Sequence, residues 1–217
     1  MMIENATARE VFQAAYENRY TWDDSFPGYK ADLEIKQGDE VYTGQVRING
    51  DHSVEVSGFD DEKVKESVYN QMRDIVTHRK RSSFEKAHGK NKFSFGENDS
   101  TGAVEIFVKG DAMGSNYKVR GREICHVSRV MGPMAFTINT NDSVDTGEGY
   151  ISSGYNAIFR NAKTGDLMAK REFEDSFEKV DDYYIMTRQV VYAIEEKGRT
   201  ATEFNFSNIK LLEAAMV

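Results

Sequence analysis

The sequence has one cysteine, two prolines and four histidines in 217 residues. With Cys125 alone, no intramolecular disulfide can form. His52, His78, His88 and His126 lack His-x-His and His-x-x-x-His spacing, and no acid cluster completes a ligand set, so no metal is expected. Long apolar runs are also missing. The longest, Val190 to Ile194, is far too short to span a bilayer. Positive charge is in deficit: the net charge of −8 sets the surface as a whole against nucleic acid and anionic membranes. The start Met1-Met2-Ile3-Glu4 has neither the basic nor the apolar region of a secretory signal, and the expected location is the cytoplasm or a plastid stroma.

Phosphate-loop and dinucleotide signatures are absent too. Gly110-x-x-x-Gly114 is not followed by Lys-Ser/Thr, and Gly147-x-Gly149 lacks strand–helix context. Cys125 and His126 are adjacent in a predicted strand and so point to opposite faces, which disfavours a local dyad and makes Cys125 a small buried side chain. The paired acids Asp23-Asp24, Asp60-Asp61 and Asp181-Asp182 fall in turns or at a helix cap, where Asp is favoured anyway. No cofactor is expected, and an enzyme ranks below a binding protein.

What is plentiful is glycine (17), tyrosine (11), phenylalanine (13) and short alternating runs, the composition of strands joined by tight turns. Thr7 and Glu10 have capping-box spacing and open a first helix with Val11, Ala15 and Tyr16 on one face. A loop with the single Trp22 follows. Tyr29, Ala31, Leu33 and Ile35 then alternate with polar residues, and a Gln37–Glu40 loop leads to Tyr42, Gly44, Val46 and Ile48. That spacing sets Ile35 opposite Tyr42 and Tyr29 opposite Ile48. A further strand is read at Ser53 to Val56. A second helix is predicted over about Asp61 to Lys80, with Asp60 as N-cap and Val64, Val68, Met72, Ile75 and Arg79 at helical spacing.

From Lys92 onward the pattern is strands only: Phe93–Phe95, Ala103–Lys109, Asn116–Val130, Ala135–Asn139, Tyr150–Arg160, Leu167–Val180, Tyr183–Glu195 and Arg199–Lys210, with turn signals between them, Gly110 to Ser115 among these. No repeat or linker divides the chain, so residues 1–217 read as a single domain. Ten or eleven strands at ~4.8 Å make a sheet roughly 45–50 Å wide, which two helices of ~10 Å cannot cover. The fold class expected is therefore α+β: a large curved, mostly antiparallel sheet, a half-barrel, packed on two helices.

With Asp181-Asp182 as turn residues, Phe177 falls opposite Met186, Asp175 opposite Arg188 and Phe173 opposite Val190. Asp175 and Arg188 then sit on an otherwise apolar face, where a charge is costly unless paired. A three-residue Glu196–Gly198 loop adds Phe204 and Phe206 to that face. The candidate lining of an apolar cleft beside the second helix is Phe173, Phe177, Tyr184, Met186, Tyr192, Phe204 and Phe206, with Asp175 and Arg188 as polar anchor. Lys118, Arg120 and Arg122, one face of one strand, are candidates for an anion, or for pairing with Glu172, Glu174 or Glu178. The basic 78–92 segment, led by Arg79, Lys80 and Arg81, is a candidate dock for a protein partner; with only Phe84 and Phe93 to stack on, nucleic acid is not expected.

Ala14 to Trp22, Phe26-Pro27-Gly28-Tyr29, Arg73 to Arg81, Gly110 to Ser115 and Thr202 to Ile209 together resemble a family of unknown function from cyanobacteria and plastid-bearing eukaryotes. The resemblance implies a photosynthetic host and brings no catalytic residues. The C-terminal meander ending Glu203-Phe204-Asn205-Phe206-Ser207-Asn208-Ile209 is similar in strand pattern to the lipoprotein-localisation carriers, half-barrels that shelter acyl chains. Two functions result: a non-catalytic protein holding a hydrophobic or amphipathic small molecule such as a lipid or pigment, or an interaction protein with a self-filled core that docks a partner through 79–92.

Overall fold

The computed structural model describes residues 6–110, 115–196 and 198–213. Residues 111–114 and Lys197, in the turns expected at Gly110 to Ser115 and Glu196 to Gly198, lie outside them. The fold class is the α+β half-barrel read from the pattern, built on one antiparallel sheet of twelve strands in the order β3-β2-β1-β12-β11-β10-β9-β8-β7-β6-β5-β4. The strands are β1 (Gly28–Gln37), β2 (Glu40–Asn49), β3 (Val54–Ser57), β4 (Lys92–Asn98), β5 (Val104–Lys109), β6 (Ser115–Arg120), β7 (Glu123–Met131), β8 (Met134–Asp145), β9 (Tyr150–Asn161), β10 (Leu167–Val180), β11 (Tyr183–Glu195) and β12 (Gly198–Leu211). The edges are β3 and β4, so the sheet does not close. Among the described residues three helices accompany it, not two: α1 (Ala8–Glu17), α2 (Glu62–Arg79) and the single-turn α3 (Phe84–His88).

Two compact units share this sheet. Unit 1 holds the chain up to Tyr20, Ser82–Phe173 and Ala193–Arg199; unit 2 holds Thr21–Arg81, Glu174–Tyr192 and the chain from Thr200. In unit 1, Thr7 caps α1 through the expected capping box with Glu10. The buried face of α1 is Ala8, Phe12, Ala15 and Tyr16, with Val11 only partly buried beside it. This face, with Phe84 of α3, packs on Ile106, Val108, Tyr117 and Val119 of β5 and β6. Phe12 is the hub: its ring lies 4.7 Å from Tyr117, 5.1 Å from His88 and 5.4 Å from Phe93, centroid to centroid. The end of α1 is tied to β9 where Tyr20 N donates to Tyr150 O and Tyr150 N donates to Asn18 O, both at 2.9 Å.

The 15-residue strand expected over Asn116–Val130 is two strands. Gly121 takes φ +61° in a tight turn that pairs Arg120 with Glu123, which an L side chain adopts only with strain. In the other direction, β8 runs to Asp145, well beyond the expected Asn139, because Ser143, Val144 and Asp145 keep pairing with β9 despite their polarity. α3 escaped the pattern because one turn carries too little periodicity. Its signals are the Ser83 cap, whose Oγ accepts from Lys86 N, and the buried Phe84 and His88 one turn apart.

In unit 2 the first hairpin has the expected register, Tyr29 opposite Ile48 and Ile35 opposite Tyr42. The turn is tighter than a four-residue loop: Gln37 pairs with Glu40, and Gly38 takes φ +60°. Gly44 is required by packing. A Cβ there would stand 2.3 Å from the Phe59 ring, which lies over it. The N-cap of α2 is Asp61 rather than Asp60, its carboxylate accepting from Lys63 N and Val64 N. Val68, Met72, Ile75 and Val76 form the buried face of α2. Trp22, in the loop before β1, stacks on Phe26 at 4.2 Å and donates from Nε1 to Tyr184 O.

Tyr29 is 0% exposed and its hydroxyl has no hydrogen-bond partner among the described residues. Burial pushes its phenol pKa far up. An unsatisfied buried hydroxyl costs about 1–3 kcal/mol. Tyr29→Phe is therefore expected to raise the thermal midpoint by about 2–4 °C for a chain of this size, measured by calorimetry. Gly44→Ala should lower stability by about 1–3 kcal/mol in urea unfolding, because the Phe59 ring must leave its place.

Candidate functional site

The residues expected to line one cleft do not share one environment. In unit 2, Met186, Phe204 and Phe206 are buried core side chains. Phe177 lies under the guanidinium of Arg79, 5.2 Å from its ring centroid. Tyr184 and Tyr192 are half-buried; Lys179 Nζ lies 5.9 Å from the Tyr184 ring, and the Tyr192 hydroxyl donates to Glu174 at 3.3 Å. Phe173 belongs to unit 1, where it stacks on Tyr155 at 4.6 Å with the rings 10° from parallel.

The buried charge expected at Arg188 is replaced by a buried amide. Burial along β11 runs in pairs, Ile185 with Met186 and Gln189 with Val190, so strict alternation fails. Gln189, at 1% exposure, takes the inner position. Its Nε2 donates to Asp175 Oδ1 at 2.8 Å, and its Oε1 accepts from Gln71 of α2. Arg188, its side chain 43% exposed, pairs with Glu203 at 2.6 Å and holds that carboxyl below its usual pKa.

The basic candidates are largely engaged. Lys118 pairs with Asp99 at 3.0 Å, not with Glu172, Glu174 or Glu178. Asp99 also accepts from the Thr101 hydroxyl and from the backbone of Thr101 and Ala103, which together drive its pKa far down. Arg120 closes β6, whereas Arg122 sits in the turn after Gly121, so the three cations do not form one row. Arg79 covers Phe177, Arg81 donates from Nε to Thr21 Oγ1 at 3.2 Å, and Lys80 caps α2. Cys125, placed at a register shift in β7, is half-buried rather than buried, its Sγ 3.5 Å from Lys118 O. Among the described residues no group of three His, Cys, Asp or Glu side chains could hold a metal.

A different surface emerges in unit 1. Cross-strand partners share a face. One row runs Ile106, Tyr117, Val127, Ile138, Ala157; the next runs Val108, Ser115, Arg129, Phe136, Phe159. The first two residues of each row lie under α1 and α3 or beside them, and are buried. Beyond them Val127, Phe136, Ile138, Tyr155, Phe159 and Phe173 are all only part-buried. Within unit 1 the helix that packs on the sheet reaches β4, β6 and β7. The opposite face is a polar ladder: His126 Nδ1 lies 2.7 Å from Asn139 Oδ1, and Asn139 donates on to Asn156 at 3.1 Å. An apolar face thus continues past the edge of its helical cover. Sequence reading missed it because no strand of the set is strongly apolar; the signal was Phe136-x-Ile138 and Tyr155-x-Ala157-x-Phe159 at period two.

These features define an α+β protein built on one open antiparallel sheet, with an apolar face in unit 1 whose buried part is packed by α1 and α3. The chain belongs to the family described as "Protein of unknown function (DUF3386)", which it matches over residues 3–212. No curated protein matches it. Among solved structures it is similar to a LolA superfamily protein from Nitrosomonas europaea, with 12% identity, TM-score 0.36, and 96% of this chain and 95% of that one covered. It is also similar to a DUF1329 family protein from Desulfovibrio piger (10%, TM-score 0.39, 98% and 96% covered). A third is a putative outer membrane lipoprotein-sorting protein domain from Vibrio parahaemolyticus (11%, TM-score 0.31, 96% and 94% covered). No helix among the described residues is long and apolar enough to cross a membrane.

His88 of α3, buried against Phe12 and Tyr16, is held neutral: burial first, then the charges of Arg129 and Arg19, pull its pKa down to about 4. A histidine with a depressed folded pKa costs stability as pH falls from its unfolded value near 6.5 toward 4, where the unfolded chain binds the proton first. Acidification over that window is expected to remove up to about 3 kcal/mol through this group. His88→Phe should flatten the urea-midpoint profile between those pH values relative to the native protein.

Proposed function

We propose that this protein is a non-catalytic binding protein that holds a hydrophobic or amphipathic small molecule, such as a lipid or pigment, on the inner face of β7, β8 and β9. The single observation that carries this is the set of part-buried side chains Phe136, Ile138, Tyr155, Phe159 and Phe173 in unit 1, continuous through Val127 with a core packed by α1 and α3. Such a surface loses its contact with water most cheaply by taking up apolar matter, at about 25 cal/mol per Å² covered. The first lining proposed from the pattern, around Met186, Phe204 and Phe206, is already used as core, and the reading therefore moves from α2 to the other half of the sheet. The same proposal puts the protein in the cytoplasm or plastid stroma of a photosynthetic host. Docking through 79–92 receives less support, since Arg79 and Arg81 have partners within unit 2.

Protein purified without detergent should carry an apolar ligand detectable by native mass spectrometry, or bind Nile red with a fluorescence rise after delipidation. Phe136→Ser with Phe159→Ser, two part-exposed positions, should weaken dye binding by at least about tenfold while leaving the thermal midpoint within a few degrees. Unchanged dye affinity in that double variant would refute the assignment of this face.

A further inference from the structure

Arg129 is the anomaly of the apolar face. It stands in the row Val108, Ser115, Arg129, Phe136, Phe159, flanked directly by Ser115 and Phe136. Its Nη2 donates to the Tyr117 hydroxyl at 2.5 Å. Its Nε is buried and has no hydrogen-bond partner among the described residues, and no carboxylate among them is within ion-pair distance. The neighbouring Ser115 is 5% exposed, and its Oγ is also buried without a partner among the described residues. Two adjacent orphan polar groups, one of them charged, are a costly combination in a sheet interior. The charge of Arg129 is also one of the causes that keep His88 neutral. Lining the same face on the side away from the helices are Phe136, Ile138, Phe159 and Tyr155.

We propose that Arg129, with the hydroxyls of Ser115 and Tyr117 beside it, receives the carboxylate of a long-chain acid whose tail lies along Phe136, Ile138 and Phe159. The inference rests on the reading of this face as a lipid-binding surface and adds the chemistry of the head group. One guanidinium balances one negative charge, and its fork matches a carboxylate; a phosphate dianion would call for a second cation in the row. The serine hydroxyl can donate to the same oxygen pair, so filling the site satisfies both orphan atoms at once.

The test uses the full chain, delipidated, titrated by Nile red displacement with a 16-carbon fatty acid, the alcohol of equal length and the methyl ester. The acid should bind about 10- to 100-fold more tightly than the alcohol or ester, the range of a charge-assisted hydrogen-bonded contact. Arg129→Gln should bring the acid to the level of the alcohol and leave the alcohol unchanged; Ser115→Ala should weaken the acid only a few-fold. Equal affinity of the native protein for acid and alcohol would overturn the head-group assignment while sparing the apolar surface, and it needs no variant to fold. Failure of all three to displace dye would refute the surface itself. Tighter binding of a lysophosphatidate than of the acid would replace carboxylate by phosphate and so overturn this proposal.

Discussion

A pleated strand sends alternate side chains to opposite faces, so a sheet with one apolar face must have that face covered strand by strand. In unit 1 the cover is α1 and α3, centred on Phe12, and it is complete over β5 and β6. Two strands further on, the same rows still present Phe136, Ile138 and Phe159. The unroofed remainder is not a packing fault of one residue. It is a continuous consequence of register: Phe159 pairs with Phe136, Phe136 with Arg129, and Arg129 with the buried Ser115.

Unit 2 solves the same problem by filling. The face of α2 made by Val68, Met72, Ile75 and Val76 is buried, and the amide that ends up beside it is matched: Gln189 reaches both Gln71 and Asp175. The contrast with Arg129 and Ser115 is chemical as well as steric. Gln189 has its partners supplied by the chain; Arg129 Nε and Ser115 Oγ find none among the described residues.

The fold was readable where local rules act alone. The Thr7–Glu10 box, the register of the first hairpin and the strands at Leu167–Val180 and Tyr183–Glu195 all follow from caps, turns and alternation. The site was not, for two physical reasons. First, alternation was carried unbroken through β11, whereas paired burial at Ile185–Met186 and Gln189–Val190 turns Arg188 outward and Gln189 inward. Second, which of several amphipathic strands lacks a roof depends on helix placement, and the one-turn α3, invisible to periodicity, is what completes the cover beside Phe12. Phe173, expected in the lining beside α2, stacks instead on Tyr155 within unit 1.

A sheet that never closes keeps two rows of unpaired amides, and each is a template for a neighbouring chain to add a strand. One row is only four residues long at β3; the other, β4, is interrupted by a register shift between Phe95 and Asn98. Shortness at one edge and irregular register at the other both work against the addition of a further strand.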